Sequence, residues 1–217
     1  MSPEIAPLAL HEQFANPNQQ RETASFGMWI FIISEMMLFG GLFVAFTVYR
    51  MYYPQAFDDG SAGMDIVLGS INTAVLICSS FTMALAVYSA EVGSRKLVSA
   101  FLVLTMIIGA VFLAIKFTEY YKHFLDHKAP AVWFDSAGPG GPKIELFYVF
   151  YFIMTGLHAL HMIVGIGLLM ATLIRNLAGQ ITAAYYTPIE VAGLYWHFID
   201  IIWVFLYGIF YISGLHK

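Results

Sequence analysis

Five long apolar runs dominate the chain: 26–49, 66–89, 97–121, 146–174 and 191–213. A helix crossing the hydrocarbon core of a bilayer needs about 20 mainly apolar residues, and each run supplies them. The runs are too long for the roughly 10-residue strands of a membrane barrel and lack their period-two alternation. The pattern predicts an all-α integral membrane protein, a bundle of five transmembrane helices. Residues 1–25 are expected to form an N-terminal extramembrane segment and 26–214 a single membrane domain. An odd number of spans puts the two termini on opposite faces. Connections are short except between Lys122 and Glu145, where Pro130, Gly138, Pro139, Gly140, Gly141 and Pro142 punctuate a polar stretch that also holds Trp133 and Phe134. That loop is expected to cap the bundle or touch a partner.

Composition narrows the reading. Of 217 residues, 59% are apolar and only 11% charged, against roughly a quarter charged in a soluble domain, so little length is left for a second domain. Ten Lys and Arg against 14 Asp and Glu give a net charge of −4, which excludes the basic footprint of a nucleic-acid binder. The single cysteine, Cys78, lies in an apolar run and excludes an intrachain disulfide framework or a cysteine-built metal centre. Residues 1–20 lack a basic segment followed by a short apolar core, so the first span is expected to direct insertion. Arg21, Arg95, Lys96 and Arg175 fall on the N-terminal side and Arg50, Lys122, Lys128, Lys143 and Lys217 on the other. Because the pair Arg95 and Lys96 sits in a short loop, the N-terminus is expected on the cytoplasmic side.

Ionisable groups inside spans are costly and each needs a partner, a changed protonation state or a task. Glu35 stands about ten residues into the first run with no basic neighbour in sequence. It is expected as a protonated carboxyl that donates a hydrogen bond to another helix, serving either proton handling or helix packing. In the fourth run Tyr151, Thr155, His158, His161 and Gly165 share one helical face, which is expected to point inward. The spacing of His158 and His161 would suit two ligands of a metal, but a third or fourth ligand is missing, and hydrogen-bonding histidines beside close-packed Gly165 and Gly167 are the preferred reading. In the fifth run Glu190, Leu194, His197, Asp200, Val204 and Tyr207 form another face, with His197 and Asp200 placed to share a proton as a lock between helices or as a reactive couple. Lys116, Glu119 and Lys122 recur every three residues near the end of the third run. Glu119 is expected to be anchored at the interfacial depth marked by Tyr120 and Tyr121, and the lysines to snorkel toward the headgroups.

Taken together, the strings 26–35 (FGMWIFIISE), Ile71-Asn72-Thr73, Glu119-Tyr120, 152–161 (FIMTGLHALH) and 195–200 (YWHFID) closely resemble subunit III of the haem–copper terminal oxidases, in matching order and from about Phe26 to Gly214. The Thr-Gly-x-His-x-x-His and Tyr-Trp-His-Phe-x-Asp strings are the specific ones. The resemblance implies an accessory subunit of a cytochrome c or quinol oxidase complex in a bacterial-type cytoplasmic membrane. Such a subunit carries no catalytic residue, redox centre or metal of its own, haem and copper residing in the catalytic subunit I. It would pack against that subunit, support proton uptake and hold phospholipid. By the same resemblance Glu35 matches the family's buried, carbodiimide-reactive carboxyl. Asn72, Glu119, His158, His161, His197 and Asp200 match the polar interior of its helix bundle. The five runs match the last five helices of the family's seven-helix form, so the lipid-filled cleft made by its first two helices is not expected from this sequence.

Two other functions fit parts of the pattern. Five-helix relatives also accompany nitric oxide reductases, and every residue argument above applies to them equally. A haem b carrier ligated by His197 and either His158 or His161 would need imidazoles facing each other at one depth. Helices four and five run antiparallel, so these residues start from opposite membrane faces. A transporter is disfavoured, since neither an internal repeat nor a broken-helix signal is seen.

Overall fold

The computed structural model describes residues 13–128, 130 and 141–213. Residues 1–12 of the expected N-terminal segment lie outside the described residues, as do Trp133, Phe134, Gly138, Pro139 and Gly140 of the long connection and Gly214 and Lys217 at the end. The elements are α1 (Pro17–Tyr52), α2 (Pro54–Ala62), α3 (Ile66–Glu91), α4 (Arg95–Leu125), α5 (Gly141–Leu177) and α6 (Thr187–Tyr207), which runs on into a π-turn, Gly208–Ile212. All are helical, and five spans are long and apolar enough to cross a membrane.

The helices overrun the apolar runs because their ends are set by caps rather than by hydropathy. α1 starts at Pro17, not Phe26: Asn16 accepts a hydrogen bond from Gln19 N at 2.8 Å, and Pro17 occupies the first helical position, where a missing N–H costs nothing. Asp65 caps α3 in the same way through Leu68 N. α2 has no counterpart in the hydropathy pattern. Pro54 cannot continue α1's hydrogen bonding and opens a new helix instead, whose Phe57 is buried against Phe46 and Phe147. At the α3–α4 turn Gly93 takes φ +79°, and Ser94 N donates to Ser89 O at 2.9 Å. That left-handed turn reverses the chain within a few residues.

α3, α4, α5 and α6 close a four-helix ring, and α1 lies outside it, packed on α6 and more thinly on α5 and α2. The ring's centre is Trp196, fully buried, with Nε1 donating to Ser79 Oγ at 2.8 Å. Two glycines make room for its indole. A Cβ on Gly109 of α4 would stand 2.8 Å from the ring, and one on Gly165 of α5 would stand 3.1 Å from it. Gly167 was expected to be close-packed as well but meets nothing within 4 Å, because it points away from α6. Since α1 touches the ring on one side only, a groove remains between α1 and α3, floored by α6.

Candidate functional site

Glu35 and His161 meet across α1 and α5. Glu35 Oε2 lies 3.1 Å from His161 Nε2, and His161 Nδ1 lies 2.8 Å from the carbonyl of Leu157. A carbonyl only accepts, so Nδ1 carries a hydrogen. Nε2 then either accepts from a protonated Glu35 or donates from an imidazolium to the carboxylate. The two side chains, 16% and 14% exposed, meet at the edge of the bundle. Phe39 packs against the imidazole with the two rings tilted by 60°. Glu35 thus contacts another helix, and its partner stands 126 positions away in sequence.

His158 does not join His161. Its ring is wedged between Phe112 and Trp203, and both ring nitrogens are buried with no hydrogen-bond partner among the described residues. The expected pair of hydrogen-bonding histidines is thus realised at His161 alone. The face of α5 fans out: Tyr151, Thr155 and His158 point into the ring and His161 toward α1. Asn72 of α3 is likewise fully buried, with its amide unpartnered among the described residues.

The predicted face of α6 floors the groove. Glu190, Gly193, Leu194 and His197 line a cavity of about 400 Å³ with Arg21 and Ala84. His197 and Asp200 line a second, of about 370 Å³, with Ser80 and Val204. His197 joins the two. Arg21 bridges Glu190 at 2.9 Å at the N-terminal end, and Ser70 bonds Tyr207 at the other, so the groove has polar ends and apolar walls. His197 and Asp200 do not form the expected couple: His197 Nδ1 pairs with Ser80 Oγ at 2.6 Å, and both Asp200 oxygens are buried without a partner among the described residues. The i,i+3 step placed them on one side of α6, but a hydroxyl on α3 reaches the imidazole first.

At the third polar site Lys116 and Glu119 pair inside the bundle rather than at its interface. Lys116 does not snorkel; it is 2% exposed and turns inward. Its Nζ donates to Glu119 Oε2 at 2.9 Å, Tyr151 Oη at 3.0 Å and Tyr211 Oη at 2.9 Å. The rings of Tyr151, Trp203, Tyr120 and Tyr211 surround it at 4.9–5.6 Å. Tyr211 donates to the other oxygen of Glu119, and His123 Nε2 stands 4.0 Å from that oxygen. The available signal was the shared helical face of Gly109, Phe112, Lys116, Glu119 and His123, which a count of charges by depth ignores.

Among the described residues no three His, Cys, Asp or Glu side chains cluster to hold a metal. Of the histidines a bis-histidine haem would draw on, His197 opens on the groove, His158 on the ring interior, and His161 is engaged by Glu35 and the Leu157 carbonyl.

The family model described as "Cytochrome c oxidase subunit III" matches residues 13–215. A "Probable cytochrome c oxidase subunit 3" of Nocardia farcinica is 34% identical over 187 residues, covering 86% of this chain and 86% of the relative. A "Cytochrome c oxidase subunit 3" of Thermostichus vulcanus is 30% identical over 187 residues, covering 86% and 85%. That of Papio hamadryas is 31% identical over 195 residues, covering 86% and 68%.

Proposed function

Since the chain belongs to the cytochrome c oxidase subunit III family, and so to the subunits of a terminal oxidase complex, we propose that it is a non-catalytic accessory subunit of a proton-pumping haem–copper oxidase. It stabilises the catalytic subunit I, sustains proton uptake and holds phospholipid in a bacterial-type cytoplasmic membrane, with its N-terminus on the cytoplasmic side. The single observation that carries this reading is the Glu35–His161 couple. A carboxyl and an imidazole that share one proton at the bundle's edge form a group able to exchange it with a neighbour without leaving a bare buried charge. The thin packing of α1, with Trp29, Ile33, Met37 and Val44 exposed along it, supports a partner helix or lipid beside that edge. The groove over α6 supports the lipid role: its depth and apolar walls suit an acyl chain, and Arg21 at its end suits a phosphate.

The test is made in the assembled complex. Glu35→Gln and Glu35→Ala are expected to shorten the number of turnovers before inactivation and to alter bound lipid, while leaving haem content unchanged. If turnover durability, assembly and lipid content stay at parental values in both variants, Glu35 has no functional role. A C-terminally tagged chain extracted in mild detergent is expected to bring haem and copper only together with a large multi-helix partner. A haem spectrum from the chain expressed alone, lost in His197→Ala, would overturn the accessory role.

A further inference from the structure

The Lys116 cluster takes no part in the function proposed above, yet it places a cation in the interior of a membrane bundle. α4 is 31 residues long, about 46 Å. Lys116 stands nine residues before its end, which puts the ammonium inside the hydrocarbon slab rather than at its surface. Burying an ion there costs several kcal/mol unless its surroundings replace water. The surroundings here do so fully. An ammonium offers three N–H groups, one for each of the three oxygens around Nζ. It meets the phenol oxygens of Tyr151 and Tyr211, and the rings of Tyr120 and Trp203 stand 5.3 and 5.0 Å from it, within the range in which a ring attracts a desolvated cation.

The C-terminal turn is built toward this cation. From Gly208 to Ile212 the helix widens to a π-turn, which inserts one residue and rotates the C-terminal side chains by about 100°. Both Phe210 and Tyr211 are consequently fully buried. Gly69 leaves room for the Tyr211 ring, since a Cβ there would stand 2.7 Å from it. The carbonyl of Phe210 is answered by Ser61 Oγ of α2 at 2.8 Å, and Ser213 Oγ donates to the same hydroxyl. Tyr211 then bonds both members of the ion pair, accepting from Lys116 and donating to Glu119.

We propose that Glu119, the phenol oxygens of Tyr151 and Tyr211 and the rings of Tyr120 and Trp203 form an alkylammonium site, filled by the chain's own Lys116, and that its occupancy holds the C-terminal π-turn against α4 and α5. The cation is the common partner of residues on three helices and the turn. Without it, Tyr211 keeps Glu119 and a long 3.5 Å contact with Tyr151 Oη, and Oε2 of Glu119 loses its Lys116 donor.

The experiment uses the full chain in its detergent-extracted complex and reads amide hydrogen exchange over residues 208–212 by mass spectrometry. Lys116→Ala removes a fragment equal to propylammonium. Its exchange is expected to rise about tenfold or more at the π-turn, while α1 is unchanged. Propylammonium is expected to restore protection, and the neutral isostere 1-propanol is not. In Lys116→Ala/Glu119→Gln the rescue is expected to disappear. Lys116→Met, of similar volume without charge, guards against a simple cavity effect and is expected to lose the same protection. Parental exchange in Lys116→Met, or equal rescue by propanol and propylammonium, overturns the proposal.

Discussion

Gly109→Ala should destabilise the bundle even though alanine is the better helix former. The added methyl would lie 2.8 Å from Trp196 Cη2 and 3.0 Å from Cζ2, closer than packed carbons stand. The indole cannot retreat, because its Nε1 is tied to Ser79 and its opposite edge rests on Gly165. Replacing glycine in a helix contributes about 1 kcal/mol in favour, and overpacking a ring held on both sides costs about 2–3 kcal/mol, the upper half of the usual range. The net is a loss of about 1–2 kcal/mol, or a roughly 5- to 30-fold fall in the folded-to-unfolded ratio. Trp196→Phe removes the two carbons the methyl would strike, so in that background the same alanine should cost nothing or stabilise. The coupling should be about 1–3 kcal/mol. Reversible denaturation in mixed micelles measures all four corners of the cycle, with Gly167→Ala as the control at a glycine that faces open space. If Gly109→Ala is as stable as the parent, or the two substitutions add within about 0.5 kcal/mol, the glycine-cradled tryptophan is not what fixes α4 and α5 around α6.

Three further outcomes are expected at the polar sites. His161→Phe keeps a ring against Phe39 but removes the partner of Glu35; labelling of Glu35 by a hydrophobic carbodiimide, which needs the protonated carboxyl, should rise, and unchanged labelling would count against the shared proton. Ala84 is exposed and lines the groove, so Ala84→Phe should lower the phospholipid retained in native mass spectrometry at an unchanged melting temperature. Equal lipid counts would move the lipid seat elsewhere. Asn176 donates to Arg95 O and Ser99 Oγ, tying the end of α5 to the start of α4, and Asn176→Ala should cost about 1–2 kcal/mol in the same denaturation assay.

Hydropathy carried the architecture because a span must exceed a fixed length, and the five runs do so without help from tertiary contacts. α2 escaped it, being only nine residues with Asp58, Asp59, Gly60 and Ser61 among them; its burial depends on Phe57 finding aromatic neighbours from α1 and α5. The groove floor on α6 was legible, since steps of three and four residues set one face. Which groups pair was not. Ser80 takes His197, and His161 takes Glu35, through contacts 117 and 126 positions apart that no local spacing encodes. Lys116 shows the difference between depth and direction. A lysine near a helix end can snorkel if it faces lipid, but its helical face also holds Gly109 and Phe112, and that azimuth turns it into the bundle.

The separation of Glu35 from His161 also fixes an order of events in biogenesis. α1 leaves the ribosome first and acquires its packing on α5 and α6 last. At about 5–20 residues per second, the 126 positions between the two side chains correspond to about 6–25 s during which the carboxyl has entered the bilayer and its imidazole has not been made. Throughout that interval α1 carries an unanswered acid among lipids. The nascent chain therefore depends on the insertion machinery, or on a neighbouring subunit already in place, to shelter one helix until the fourth span arrives.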